Sequence, residues 1–180
     1  IAASSLIVTG GDSSVNCYDT DLKPLWKYSA ESPVTSLASY GDRIYAAAGT
    51  TILVIDLKGR KTDEWNLLRE NTYITSLAAN KYNVACADAA NKIVIVLDHN
   101  GVVRHVVGES GREFIIPSYY FDLALSNDNI LYIANTGKKR IERRKIDGTL
   151  IDFLGESGTG PEGFCGCCNP AHFSVFPGGF

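Results

Sequence analysis

The chain contains no methionine, two tryptophans and three histidines in 180 residues. It has no apolar run approaching the roughly 20 residues that a bilayer-spanning helix requires, so no transmembrane segment is expected. An excess of one charge is lacking too. The formal net charge of −3 gives no global attraction to nucleic acid or acidic lipid, so any basic function has to be local. No stretch carries sustained helical periodicity. Missing as well are a G-x-S-x-G elbow, a phosphate-binding loop and an HExxH helix. The histidines are too scattered to form a dyad by spacing. His99 falls in an Asp-to-Gly turn and is expected to be exposed, His105 on a peripheral strand, and only His172 on an innermost one. Without a methionine, Ile1 is no initiator, and the chain stops at Phe176-Pro177-Gly178-Gly179-Phe180, inside what reads as a strand and turn. Both ends are therefore expected to be truncated, which leaves the compartment open.

Hydrophobic residues make up 45% and charged residues 21%, the balance of a globular protein. Two four-residue words recur. Thr35-Ser36-Leu37-Ala38 returns as Thr75-Ser76-Leu77-Ala78, and Gly108-Glu109-Ser110-Gly111 as Gly155-Glu156-Ser157-Gly158. Around them one layout repeats: a short strand (Val34 to Ala38, Ile74 to Ala78, Phe121 to Leu125), a polar turn, an apolar strand, a third strand, an acidic turn and a last strand. The acidic turns are Asp56-Leu57-Lys58-Gly59, Asp98-His99-Asn100-Gly101 and Asp147-Gly148, where glycine supplies the left-handed backbone of a tight hairpin. Four short antiparallel strands per roughly 40–50 residues make a β-propeller blade.

The predicted fold is all-β, a partial β-propeller spanning residues 1–180. Its units are about 5–32, 34–68, 74–109 and 121–156, with the start of another at 172–180. The first unit shows three strands and lacks an innermost one; His172 to Phe176 is an innermost strand without successors. That strand either completes the first unit as a closed four-bladed ring, or the chain is a segment of a ring with about six blades. The second reading is preferred, because the closing sequence looks like the opening of another hairpin.

Residues Ile116 to Gly155 resemble the NHL repeat. Pro117, Phe121 to Leu125, Ile130 to Thr136, Arg140-Ile141 and Ile146-Asp147-Gly148 carry the resemblance. In that family the second strand ends in aspartate or asparagine, here Asn135. The resemblance extends to about Phe176, is looser over Ile74 to Gly108 and weak before that. It implies propellers that commonly have six blades. It leaves function open, since the family includes RNA binders, protein binders, a metal-using peptide-amidating lyase and many bacterial extracytoplasmic proteins.

Three constellations are candidates for chemistry or binding. Cys165, Cys167 and Cys168, with His172 nearby, offer thiolate and imidazole ligands for a metal ion, a disulfide such as Cys165 to Cys168, or a redox-active thiol pair. Their glycine- and proline-rich surroundings suit a crossing loop at the rim of one face. Cys17 and Cys86 fall on strands and are expected to be buried. The tract Lys138, Lys139, Arg140, Ile141, Glu142, Arg143, Arg144, Lys145 could contact phosphates, but it lacks the interleaved aromatics of single-strand binders. It is expected to be a mostly exposed, solvated strand. Tyr119 and Tyr120, with Tyr73 at the equivalent place one blade earlier, either wedge between blades, the commoner use, or line the mouth of the central channel.

The expected function is a non-enzymatic scaffold that binds a protein partner through loops on one face. Its alternatives are a metal-binding or redox-active protein built on the Cys165–Cys168 loop, and a metal-dependent lyase of the NHL type. No cofactor is predicted, though a metal ion is possible at the cysteines; nucleic acid is not an expected partner. The Cys165 to Pro170 stretch resembles exported bacterial NHL-repeat proteins, which implies the periplasm or cell surface.

Overall fold

The structure is a computed structural model that describes residues 2–3, 5–66, 69, 71–166 and 168–175. Sixteen strands form four four-stranded antiparallel sheets, each ordered as the chain runs. The first sheet holds β1 (Ala2–Ala3), β2 (Leu6–Gly11), β3 (Ser14–Tyr18) and β4 (Pro24–Ser29). The second holds β5 (Val34–Tyr40), β6 (Arg43–Ala48), β7 (Thr51–Asp56) and β8 (Lys61–Asn66). The third holds β9 (Ile74–Ala79), β10 (Val84–Asp88), β11 (Ile93–Leu97) and β12 (Val103–Val107). The fourth holds β13 (Leu123–Leu125), β14 (Ile130–Asn135), β15 (Arg140–Lys145) and β16 (Leu150–Leu154).

These sheets are blades stacked face to face, and burial follows from the stacking. In the second and third blades the middle strands are covered on both faces. Ile44 to Ala48, Ile52 to Ile55, Val84 to Asp88 and Ile93 to Leu97 are accordingly buried without interruption. In the first blade β3 alternates, burying Val15 and Cys17 only. Successive residues of one strand serve opposite interfaces. Ile44 and Ala46 pack with Val8, Val15 and Cys17, whereas Tyr45 and Ala47 pack with Val84, Cys86 and Ile95. Ala85 and Ala87 turn the other way, toward Leu123, Leu131 and Ile133.

The repeated Thr-Ser word links one blade to the next. Thr35 donates from its hydroxyl to the Ile74 carbonyl (2.7 Å), and Thr75 to that of Phe121 (2.7 Å). The Ser36 hydroxyl accepts from the Leu77 amide (2.9 Å), and that of Ser76 from the Leu123 amide (3.2 Å). The acidic turns at Asp56 and Asp98 close in one way. Asp56 accepts from the amides of Lys58 and Arg60, and Asp98 from those of Asn100 and Val102. These bonds lower both carboxyls below the ordinary aspartate range: for Asp56 the Arg60 amide is the largest cause, while for Asp98 partial desolvation opposes the shift and is outweighed. Asp19 accepts likewise from Asp21 and Lys23. The turn glycines also leave room for a neighbour: a Cβ on Gly59 would lie 2.7 Å from Trp26, and one on Gly101 2.5 Å from Trp65.

Three expectations change. The first unit does possess an innermost strand, the two-residue β1, whose partners are Ile7 and Leu6; two alanines carry too little pattern to announce a strand. β1 covers the Leu6–Ile7 end of the inner edge of β2. β13 is confined to Leu123–Leu125, shorter than Phe121 to Leu125. Residues 171–175 form no ladder, and Phe176 lies outside the described residues. Even so, the Phe173 amide donates to Asp122 Oδ2 (3.3 Å), an inner-strand contact of the kind Leu77 makes to Ser36.

Candidate functional site

The antiparallel order places the β4–β5, β8–β9 and β12–β13 crossings on one face, together with the turns between second and third strands. The Asp-to-Gly turns lie on the opposite face. Buried polar groups hold the crossings in place. Asp88, at the end of β10, accepts from the amides of Tyr73, Ala90 and Asn91 (each 3.1 Å). Asn135, at the end of β14, accepts from the Ile115 amide (3.0 Å) and donates to the Glu113 carbonyl (2.9 Å). The β8–β9 and β12–β13 crossings are thereby tied to the blades they enter.

Between these crossings lies an open cavity of about 590 Å³, lined by Thr35, Tyr73, Thr75, Ser118, Tyr119, Tyr120, Phe121 and His172. Tyr73, Tyr119 and Tyr120 are 45%, 63% and 48% exposed. They stand at the cavity and do not wedge between blades, contrary to the commoner use of such aromatics. Phe121 takes the buried place, 5.1 Å from Phe114. Tyr119 has φ 25°, a rare value for a residue with a side chain. Its ring meets Tyr73 edge to face, with centroids 5.3 Å apart and planes at 70°. Tyr120 meets His172 in the same way, at 6.2 Å and 86°. Behind His172, Asp122 accepts from the Ser76 hydroxyl (2.6 Å) and lies 3.4 Å from His172 Nδ1.

The cysteine loop adjoins this cavity. Cys165 is an exposed free thiol, so the Cys165 to Cys168 bridge is not made. Cys168 Sγ lies 2.7 Å from the hydroxyl of Ser118, on the cavity wall. Asn169 donates to the Cys165 carbonyl (2.7 Å), and Lys139 to the Gly166 carbonyl. Among the described residues no three His, Cys, Asp or Glu side chains converge on a metal position; Cys167 lies outside those residues.

The basic tract is not the solvated strand expected. Of Lys138 to Lys145, only Lys145 is fully exposed, while Ile141, Glu142 and Arg144 are buried. Arg144 bonds Glu142 Oε2 (2.8 and 2.7 Å), Glu113 (2.9 Å) and the Gly148 carbonyl (2.6 Å), and lies over the Phe114 ring. Arg140 bonds Glu142 Oε1 and covers Phe153, and Arg143 pairs with Asp152. Burial alone would raise the Glu142 carboxyl. The bonds from Arg140, Arg144 and Asn135 outweigh it and hold the group below the ordinary glutamate range. His99 is also not a free turn residue. Its Nδ1 lies 2.7 Å from the Tyr45 hydroxyl and its Nε2 2.9 Å from the Asn80 carbonyl, joining the second and third blades.

Sequence reading passed over Asp122, Ser118 and Asp88. The signal for two of them was present in the repeat. Asp122 stands where Ser76 stands one blade earlier, and Asp88 corresponds to Asn135.

No protein-family model matches the chain, and no curated protein sequence matches it. Solved structures do. BamB from Moraxella catarrhalis is 14% identical, with a TM-score of 0.64 over 86% of this chain and 47% of that one. Streptogramin B lyase is 15% identical, with a TM-score of 0.62 over 79% and 47%. A protein of unknown function from Bacteroides caccae is 15% identical, with a TM-score of 0.62 over 86% and 58%. BamB and the lyase are β-propellers, and at such identities the likeness concerns fold alone. The chain spans about half the length of these structures. It is an all-β partial propeller of four-stranded antiparallel blades.

Proposed function

We propose that this propeller is a binding scaffold whose crossing-loop face receives a protein partner. The observation that carries the reading is the cavity bordered by Tyr73, Tyr119 and Tyr120, three large amphipathic side chains exposed together. Tyrosine offers much contact area for little lost conformational freedom and is enriched at protein interfaces, where a few central anchors supply most of the affinity. The anchors here sit on crossings fixed by Asp88 and Asn135, so the surface is arranged before a partner arrives. In the same reading the chain belongs to a larger NHL-type ring of about six blades, working in the periplasm or at the cell surface of a bacterium. The asparagine at the end of β14 and the following Arg140-Ile141 support that part.

A photo-reactive phenylalanine analogue in place of Tyr119, and separately in place of Lys58 on the opposite face, tests the proposal in native extract. A discrete protein adduct is expected from position 119 and not from position 58. Equal adducts from both positions, or turnover of a peptide or glycan by the purified protein, would overturn it.

A further inference from the structure

The cavity has a charge character beyond its aromatic one. None of the residues lining it is lysine or arginine, so the one candidate counter-charge for an anionic group is the His172 imidazole, which already lies 3.4 Å from Asp122. What borders it instead are aromatic rings, whose faces carry negative electrostatic potential. Close behind lies the Asp122 carboxylate. Its partners are the Ser76 hydroxyl, the Leu123 and Phe173 amides and His172, and its side chain remains 18% exposed. Among the described residues it is paired with neither arginine nor lysine.

Ring geometry narrows the occupant further. Tyr73 and Tyr119 stand at 70° to each other, and Tyr120 and His172 at 86°. Rings set at such angles share no common plane. A flat sugar or base is better served by a continuous stacking platform, whereas a compact cation is attracted by ring faces on several sides. About 590 Å³ also falls within the range of small-group binding sites.

We infer that the tyrosine cavity receives an organic cation, the guanidinium or ammonium head of an arginine or lysine presented by the protein partner, with its aliphatic stem against the rings. The inference rests on the partner-binding reading of the same cavity and gives it a chemistry.

The test follows tyrosine ring resonances of the full chain by NMR during titration. The probes are tetramethylammonium, N-acetyl-arginine methylamide and the neutral isostere 3,3-dimethylbutanol. Both cations are expected to shift a common set of ring signals saturably, with the neutral compound at least about fivefold weaker. Tyr119→Phe keeps a ring face and should keep most of the response, while Tyr119→Ala should lose it. Tyr119 is exposed, so an unchanged melting temperature serves as the control for folding. Equal binding of the neutral compound, or equal losses in Tyr119→Phe and Tyr119→Ala, would overturn the inference.

Photo-adduct formation at position 119 with and without saturating N-acetyl-arginine methylamide separates the two readings. An adduct suppressed by the cation supports both. An adduct that persists unchanged leaves the partner reading standing and rejects the cationic anchor. Saturable cation binding without any adduct supports a cation site and rejects the partner reading.

Discussion

Arg144 and Glu142, two residues apart on β15, share a buried face, with the guanidinium bonded to Glu142 Oε2 at 2.8 and 2.7 Å. Both side chains are nearly excluded from water. Removing Arg144 leaves the buried Glu142 carboxylate with Arg140 as its remaining counter-charge and Oε2 without its partner, so Arg144→Met should destabilise the protein by about 1–3 kcal/mol, less than the loss of an isolated buried pair. The acid limb follows from the sign of the Glu142 shift. Its folded carboxyl lies below its unfolded value, so its contribution is complete above the ordinary glutamate range and is lost as pH falls through the folded value. Urea denaturation from pH 7 down to pH 3 should show a shallower acid loss in Glu142→Gln than in the parent. An unchanged slope would mean that this pair does not govern acid stability.

Gly101 and Gly41 both have positive φ, at 78° and 61°, but differ in what a side chain would meet. Nothing lies within 4 Å at Gly41, whereas Trp65 atoms lie 2.5–2.7 Å away at Gly101. Gly41→Ala should cost only the backbone strain of a left-handed residue, about 1 kcal/mol. Gly101→Ala should cost about 1–3 kcal/mol more, from overpacking. Chemical denaturation of the two variants side by side measures the difference.

Thr75→Val removes one hydroxyl while keeping the side-chain shape. It should destabilise by about 1 kcal/mol, because the bond to the Phe121 carbonyl joins two blades. Hydrogen exchange should quicken at Leu123, Ala124 and Leu125 before it does at Val94 to Val96. Uniform quickening would indicate global unfolding and no local linkage.

The thiols should separate by reactivity. Cys86 is buried, and desolvation together with the nearby Asp88 charge pushes its thiol up to about 12. Burial raises that of Cys17 as well. A thiol-specific reagent at pH 8 should label Cys165 in the native protein, and Cys17 and Cys86 only after unfolding. Mass mapping of the labelled peptides reads the result, and rapid native labelling at Cys86 would contradict the buried third blade.

Much of the architecture was legible because turns and blade contacts are local in sequence. The Asp-to-Gly turns and the Thr-Ser words mark hairpins and inner strands directly, since each performs one repeated bonding task. The site was less legible because its parts come from separate crossings. Tyr73, Tyr119 and His172 meet only after three blades have stacked, and their spacing does not reveal on which side of a crossing a ring emerges. The basic tract misled for a related reason. Counting six positive charges ignores the acidic partners Glu113, Glu142 and Asp152, and two of these come from outside the tract. Proximity in space was again the missing information for His99, whose partner Tyr45 lies in another blade.

The bonds of Thr35, Thr75 and Ser36 to the neighbouring blade address its main-chain groups, and Ser76 adds to its main-chain bond with Leu123 one to the Asp122 side chain. A main-chain carbonyl or amide is present whatever residue bears it. Each such joint therefore constrains the residue that donates or accepts through its side chain and leaves the opposite residue free to drift. Over long divergence, blades joined in this way can exchange most of their letters while keeping their positions.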